Sequence, residues 1–563
     1  MSLKKIAPYL LSLIAMSSFA RNAEETAPVI PLKIPLYLSG NFGELRSNHF
    51  HSGIDFKTQG RTGLPVYSFD EGWVSRIGVS AWGYGNVLYV SHPNGTTSVY
   101  AHLESFSPFI EEVVKKIQYK KETFTLDQHF KKGEIPVKRG QQIAKSGNSG
   151  SSGGPHVHFE IRDSESQDVI DPIYFFKDQI KDNRKPEIRA VRLYPLNGVV
   201  NGEQKSVTAN MVKKENGNET LDKTFTAWGE IGLGIKAYDR MSETTNIYGV
   251  KRINLYLDDK LIFSTHNNRI SFSETRYLNS LTDYADWKKN RSMVVKMFLE
   301  PGNLYSGYGK MVNRGVVKIN EERVYKFRYE LEDAHENKTV FKFNVTGVKQ
   351  PVPAKEKGEN PFRYDRKNSF KAENFEMTFP KGVFYTDVDF KYSATPSQKY
   401  YSDIHKVHEN TTPLHSRCEM VIKLTNDTLP DKSKYYLGTL GKNSVSYVGA
   451  EYKNGAMHAK VRDFGTYVVT KDTTKPVITP FAPENWGKTG KLTFKISDAH
   501  SGIRDWRGEI DGEFALFEFD GKTAKLSYKI DTARIGKGKK HKLILTVIDN
   551  CGNEKKLERS FNW

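Results

Sequence analysis

The chain has 563 residues and a mass of 64.2 kDa, more than one hydrophobic core can organise, so on the order of three to five domains are expected. Its formal charge of +18 and pI of about 9.3 suit partners with anionic surfaces such as teichoic acids or lipopolysaccharide. The basic runs KKGEIPVKR and GKGKKHK lack the interleaved aromatics on which bases stack, which argues against nucleic acid. The only two cysteines, Cys418 and Cys551, fall in segments assigned to different domains, which excludes a disulfide framework.

Residues 1–20 place Lys4 and Lys5 before an apolar run from Ile6 to Met16 and then Ser-Ser-Phe-Ala, the order of a secretory signal cut near Ala20. Export to the periplasm or cell envelope of a bacterium is the expectation. The run is too short to span a membrane, and no other stretch of about twenty apolar residues follows.

Residues 30–180 read as short strands, PVYSF, GWVSRIGV, GNVLYVSH, TTSVYAHL and HVHFEIR, separated by turn signals such as Pro93-Asn94-Gly95, and predict an antiparallel β domain. One helix interrupts it. Ser107 is placed to cap it, Pro108 to start it, and Phe109, Ile110, Val113, Val114 and Ile117 are spaced for one apolar face.

An internal repeat follows. Asp182-Asn-Arg-Lys185-Pro186-Glu-Ile188 recurs as Asp472-Thr-Thr-Lys475-Pro476-Val-Ile478. Each copy continues into a strand ending in aspartate, IKAYD to Asp239 and FKISD to Asp498. Each closes on D-x-x-x-N, at Asp333 and Asn337 and at Asp549 and Asn553. Duplication accounts for the pattern, and the strand spacing predicts immunoglobulin-like sandwiches, the first enlarged between about 265 and 320. The expected organisation is a signal at 1–20, the β domain at 30–180 with a helical insertion at 104–135, sandwiches at 182–347 and 472–563, a linker at 348–366 and a further β module at 367–471.

Chemistry concentrates around GSSGGPHVHFEIRD, residues 150–163, a glycine-rich loop entering a strand. Side chains at i and i+2 share a strand face, so His156 and His158 project together. Upstream, HFHSGIDF brings His51 and Asp55, and VYAHL ends an alternating strand at His102. Imidazole and carboxylate are the ligands Zn²⁺ accepts where cysteine is absent, and a catalytic zinc keeps three of them plus an open position. His51, Asp55 and His158 would supply that set, with His49 an alternative that spacing leaves open. His102 and His156 suit proton transfer and oxyanion stabilisation. His92 and His129 read as turn and surface residues. The match of residues 150–154 to G-x-S-x-G lacks the helix that motif needs, and His335-Glu336 and His408-Glu409 lack the second histidine of H-E-x-x-H.

These stretches, with GLPVYSFDEGWVSRIG, GYGNVLYVSHPNG, GQQIAKSGNSG and Asp171-Pro172, together resemble the lysostaphin-type, or LytM-like, zinc metalloendopeptidases over about residues 35–175. The resemblance implies a mostly antiparallel β domain with its site in a groove, zinc on His51, Asp55 and His158, a catalytic pair in His102 and His156, and peptidoglycan peptides as substrate. It prefers His51 to His49. The 104–135 insertion exceeds the family's short connection and is long enough to narrow or cover the groove. A non-catalytic wall-binding protein or hydrolase activator of the same fold is the alternative reading; it predicts neither bound zinc nor cleavage.

Overall fold

The computed structural model describes residues 28–563 apart from 216, 218 and 355–357; the expected signal segment lies outside the described residues. The N-terminal domain is built on one antiparallel sheet. Its strands are β1 (Leu38–Gly40), β2 (Ile54–Lys57), β3 (Gly72–Val79), β4 (Asn86–Ser91), β5 (Thr96–Leu103), β6 (Leu126–His129) and β7 (His156–Asp163), with helix α1 (Pro108–Lys121) between β5 and β6. They lie in the order β1-β2-β7-β5-β4-β3-β6, which puts the histidine strand in the interior of the sheet, between β2 and β5.

Strict alternation gives β7 two unlike faces. Val157, Phe159 and Ile161 are fully buried, and Phe159 packs its ring 5.3–6.0 Å from Tyr100, Phe56 and Phe176. Burial of each such side chain contributes roughly 1.5–3 kcal/mol. The opposite face carries His156, His158, Glu160 and Arg162, so the core that fixes the strand also fixes the polar row.

Helix α1 begins at Pro108 as expected, but the Ser107 hydroxyl makes no capping bond. Ile110 and Val114 are buried beneath it, whereas Phe109 stays 58% exposed. The helix meets the second repeat copy with its C-terminal part. Its Tyr119 packs against Phe514 and beneath Arg534, and Phe124 beyond it meets Trp506.

The two copies of the repeat differ in their sheets. Residues 477–562 form two four-stranded sheets enclosing Leu492, Phe494, Leu526, Leu543, Leu545 and Val547. In the first copy, strands β8 (Glu187–Val200) and β9 (Phe225–Tyr238) are each 14 residues long and extend one eleven-stranded ladder. That copy shares a continuous apolar core with the N-terminal domain, from Leu32 to Val345. Cys418 and Cys551 are both buried and free.

Between the copies, residues 368–471 form two five-stranded sheets. His405 is fully buried there with Nε2 unpartnered, and burial pushes its pKa down from 6.5 to about 4. The unfolded chain therefore binds the extra proton between those values, so stability is intact above about pH 6.5 and is lost as pH falls toward 4. Hydrogen exchange at Ile404–Val407 should report a loss of about 3 kcal/mol of protection across that window, and His405→Gln should flatten the dependence.

Candidate metal centre

Register assembles the site. In the antiparallel pairing of β7 with β2, His158 stands directly opposite Asp55 and His156 opposite Lys57, while on its other side β7 sets His158 opposite Ala101 of β5. Opposed residues carry their side chains on one face within about 5 Å, so Asp55 and His158 meet although 103 positions separate them in the chain.

His51 enters from the loop before β2. Gly53 allows the loop to lie against β7, because a Cβ there would stand 2.2 Å from the Phe159 carbonyl oxygen. His51 Nε2 lies 3.0 Å from His158 Nδ1 and 3.1 Å from Asp55 Oδ1, and His158 Nδ1 lies 2.8 Å from the same oxygen. All three residues are buried. His49 is outside this cluster, exposed, with Nδ1 turned to the Ser47 carbonyl.

The outer nitrogens decide what the inner ones present. His51 Nδ1 is 2.7 Å from the Asn41 carbonyl oxygen, which can only accept, so Nδ1–H donates and Nε2 carries a lone pair. His158 Nε2 is 2.8 Å from Glu160 Oε1. Burial would raise the Glu160 carboxyl, but Arg162 and His158 hold it down at about 2. The ionised carboxylate therefore accepts from Nε2–H and leaves a lone pair on Nδ1. Three acceptor atoms thus face one point, an arrangement that demands positive charge between them. Protein atoms alone answer by protonating His158: against the opposing effect of burial, Asp55 and Glu160 raise it to about 9. Asp55 itself is held well below the usual carboxylate range, since the three histidines outweigh burial. Donors around a tetrahedral zinc stand about 3.3 Å apart, so two nitrogens and an oxygen at these separations fit that ion with little adjustment.

His102 reaches the site by a backbone exception. Ala101 shares the face of His158, so regular alternation would turn His102 to the other side of the sheet. Instead φ is 59° at His102, a left-handed conformation costing about 1–2 kcal/mol. The ring comes to 4.8 Å from that of His156 and 6.0 Å from that of His158. Its Nδ1–H donates to the Ser149 carbonyl, and that of His156 to the Gly154 carbonyl, which leaves Nε2 of each ring as the acceptor. Burial first, then the neighbouring imidazoles, push His102 down to about 3. His156 Nε2 lies 3.5 Å from Asp55 Oδ1.

Around these five stand residues that the sequence reading passed over. Glu160 also accepts from Ser52 Oγ and Tyr84 Oη, each at 2.6 Å, and pairs with Arg162. Its position two beyond His158 on an alternating strand was the available signal. Asn41 carries the carbonyl that orients His51, and its side chain exchanges two hydrogen bonds with the backbone of Gly249 in the first repeat copy. His92, expected as a turn residue, is 2% exposed, held between the Glu71 carbonyl and Ser98 Oγ. It ties the hairpin of β4 and β5 to the start of β3 and takes no part in the site.

Residues 49–120 and 113–172 match peptidase family M23, and residues 359–472 match a Zu5-like domain. The DD-carboxypeptidase/endopeptidase Mpg of Neisseria meningitidis serogroup B is 30% identical over 118 residues, 21% of each chain. The peptidoglycan DD-endopeptidase ShyB of Vibrio cholerae is 33% identical over 111 residues, 20% of each. The chain thus spans about a fifth of the length of these curated relatives. Among solved structures, the catalytic domain of the antimicrobial peptidase lysostaphin from Staphylococcus simulans is 26% identical, over 25% of this chain and 92% of that one, with a TM-score of 0.19. The chain carries, over residues 49–172, a domain of peptidase family M23, the LytM-like family its motifs resemble.

Proposed function

We propose that the protein is an exported zinc metalloendopeptidase that hydrolyses amide bonds in peptidoglycan peptides or their cross-links. The observation that carries this reading is the convergence of His51 Nε2, Asp55 Oδ1 and His158 Nδ1, each presenting a lone pair to one point. The family match and the names of the relatives, one a DD-carboxypeptidase/endopeptidase and one a peptidoglycan DD-endopeptidase, support the substrate class. The charge of +18 supports retention on anionic envelope polymers.

His51, Asp55 and His158 would hold the ion, and Glu160 would keep the His158 ring in the tautomer that ligation needs. Bound there, zinc supplies Lewis acidity toward a peptide carbonyl and lowers the pKa of water in the site. His102 is neutral at physiological pH and has a free acceptor at Nε2. It therefore takes the proton of the attacking water as general base and returns it to the leaving amine. His156, fixed by Gly154 beside Asp55, would stand beside the oxygen on which negative charge develops as the second member of the pair. Gly153 and Gly154 leave open space beside this edge, where the Ser152 hydroxyl lies 3.2 Å from His156 Nδ1. Gly150, at φ 68°, is so close to the backbone of Gly83 and Gly85 that no Cβ fits.

Removal of a ligand separates this reading from that of a non-catalytic wall binder. In the purified full-length protein, Asp55→Ala or His158→Ala should abolish both stoichiometric zinc, measured by elemental analysis, and release of products from defined muropeptides, followed by mass spectrometry. Unchanged zinc and digestion in both variants would refute the proposal. His102→Ala should keep the metal and lower kcat by about 10²- to 10⁴-fold. A second expectation concerns Glu160. Glu160→Gln should fold and still cleave at saturating zinc, with affinity in a chelator competition reduced by about 10- to 100-fold.

A further inference from the structure

The repeated sequence signature has a structural counterpart away from the M23 site. Asp182, Asp239 and Asp333 come from three distant segments of the first copy, and each places a carboxylate oxygen within 4.8 Å of the others. The equivalent residues of the second copy, Asp472, Asp498 and Asp549, do the same. Both triads rest on the same scaffold. Asn337 Nδ2 donates to Asp333 Oδ2 and to the Asp182 carbonyl, and Asn553 Nδ2 donates to Asp549 Oδ2 and to the Asp472 carbonyl. Ser242, three residues after Asp239, bonds Asp182, and Ser501, three after Asp498, bonds Asp472. The duplication has therefore kept a three-carboxylate geometry together with the amides that hold it.

Those amides leave part of the carboxylate surface unanswered. Asp239 is 3% exposed, and among the described residues neither its Oδ1 nor Asp182 Oδ2 has a hydrogen-bond partner. None of the three aspartates is in a salt bridge among the described residues, and the nearby Arg184 is paired with Glu187. Buried carboxylates without donors or counter-charge are costly. The cost is visible in Asp239, which burial and then Asp333 and Asp182 push up to about 8. In the second copy Asp498 Oδ2 is likewise without a partner among the described residues.

We propose that Asp182, Asp239 and Asp333 bind a divalent cation of calcium's class at the seam between the M23 domain and the first repeat copy. Oxygen-only donors select hard cations, and calcium takes oxygens at about 2.3–2.6 Å in flexible geometry. Ligands on opposite sides of such an ion are about 4.6–5.2 Å apart, and neighbouring ligands less, so the observed spread accommodates it. Backbone carbonyls and water complete the shell, since three carboxylates fill only part of the six to eight positions calcium takes. The location gives the ion work to do. Asp182 begins the copy, and His335, two residues beyond Asp333, bonds the Ile180 carbonyl at the end of the M23 domain. The ion would therefore tie the entry segment to two strands of the module that supports His51.

Calorimetric titration of the full-length protein tests the assignment. The protein is first stripped with a chelator and loaded with one equivalent of zinc, then titrated with calcium chloride at pH 8. The wild type should take up an equivalent of calcium that Asp239→Asn removes and Asp498→Asn leaves in place, and calcium should raise the melting temperature of wild type but not of Asp239→Asn through that equivalent. Absence of calcium uptake by the wild type up to about 10 mM, tenfold above the weakest affinities of calcium modules, would overturn the proposal. So would uptake that Asp239→Asn does not change. A melting temperature raised by Asp239→Asn in calcium-free buffer, together with no calcium uptake by wild type, would show a triad held by shared protons instead. Circular dichroism of each variant distinguishes a lost ligand from a lost fold, and the wild-type titration decides the matter if Asp239→Asn does not fold.

Discussion

The pairing register of β7 between β2 and β5 is the constraint from which the site follows. Asp55 and His158 are cross-strand neighbours because Phe159 pairs with Ile54 and Val157 with Phe56, and those four side chains are wholly buried. A slip of one residue would turn His158 from its polar partners into the apolar core and Phe159 out of that core, an exchange of a paired imidazole and a large aromatic that the core would oppose strongly. The apolar face thus sets the register, and the register sets the distance between two ligand atoms. What the strands cannot supply, His51 and His102, comes from irregular backbone held by single carbonyls, those of Asn41 and Ser149.

Both carbonyls sit where a repeat copy touches the M23 domain. Asn41 is clamped to Gly249 of the first copy, Tyr248 reaches the Leu38 carbonyl, and Phe50 stacks on Tyr305. On the opposite flank, Lys522 of the second copy bonds the Asn148 carbonyl, one residue before Ser149, and Gly521 lies against Trp82. Arg507 pairs with Glu122 at the end of α1. The insertion is therefore a docking surface for the C-terminal module. The two copies bracket the groove, one beside the loop of His51 and one beside the loop that orients His102. Loops alone would give both rings considerable freedom; packed modules restrict it.

Much of this was legible in the sequence, for local reasons. H-x-H on an alternating strand fixes which side chains share a face, and the same period includes Glu160. The start of α1 followed from Pro108. The repeat showed which aspartates correspond, although only the fold brought three distant ones into contact. Other features carry no local signal. The left-handed turn at His102 falls within an alternating strand pattern, VYAHL, that gives no sign of a break. The bond from Asn41 to Gly249 spans 208 positions, and no periodicity reports such a contact. His92 looked like a turn residue because Pro93-Asn94-Gly95 follows it, yet its ring fills an interior position against Phe69.

The treatment of buried carboxylates elsewhere in the chain sharpens the contrast between its sites. Glu160 is fully buried and receives His158, Ser52, Tyr84 and Arg162. Asp171 is met by Lys251 at 3.3 Å, and Asp283 by Arg192 at 2.7 Å. This fold therefore surrounds an interior anion with donors or a cationic side chain as a rule. It departs from the rule in part at two kinds of place: at Asp55, where Arg46 Nη2 meets Oδ2 at 3.3 Å while Oδ1 faces imidazoles with lone pairs turned inward, and at the aspartate triads of the repeat, which accept from amides and hydroxyls yet leave Asp182 Oδ2, Asp239 Oδ1 and Asp498 Oδ2 without partners among the described residues. In both, side chains are arranged so that the missing positive charge has a defined position. Such an arrangement is costly to fold around unless something cationic occupies that position, and its recurrence in both copies of a duplicated module is difficult to attribute to packing alone.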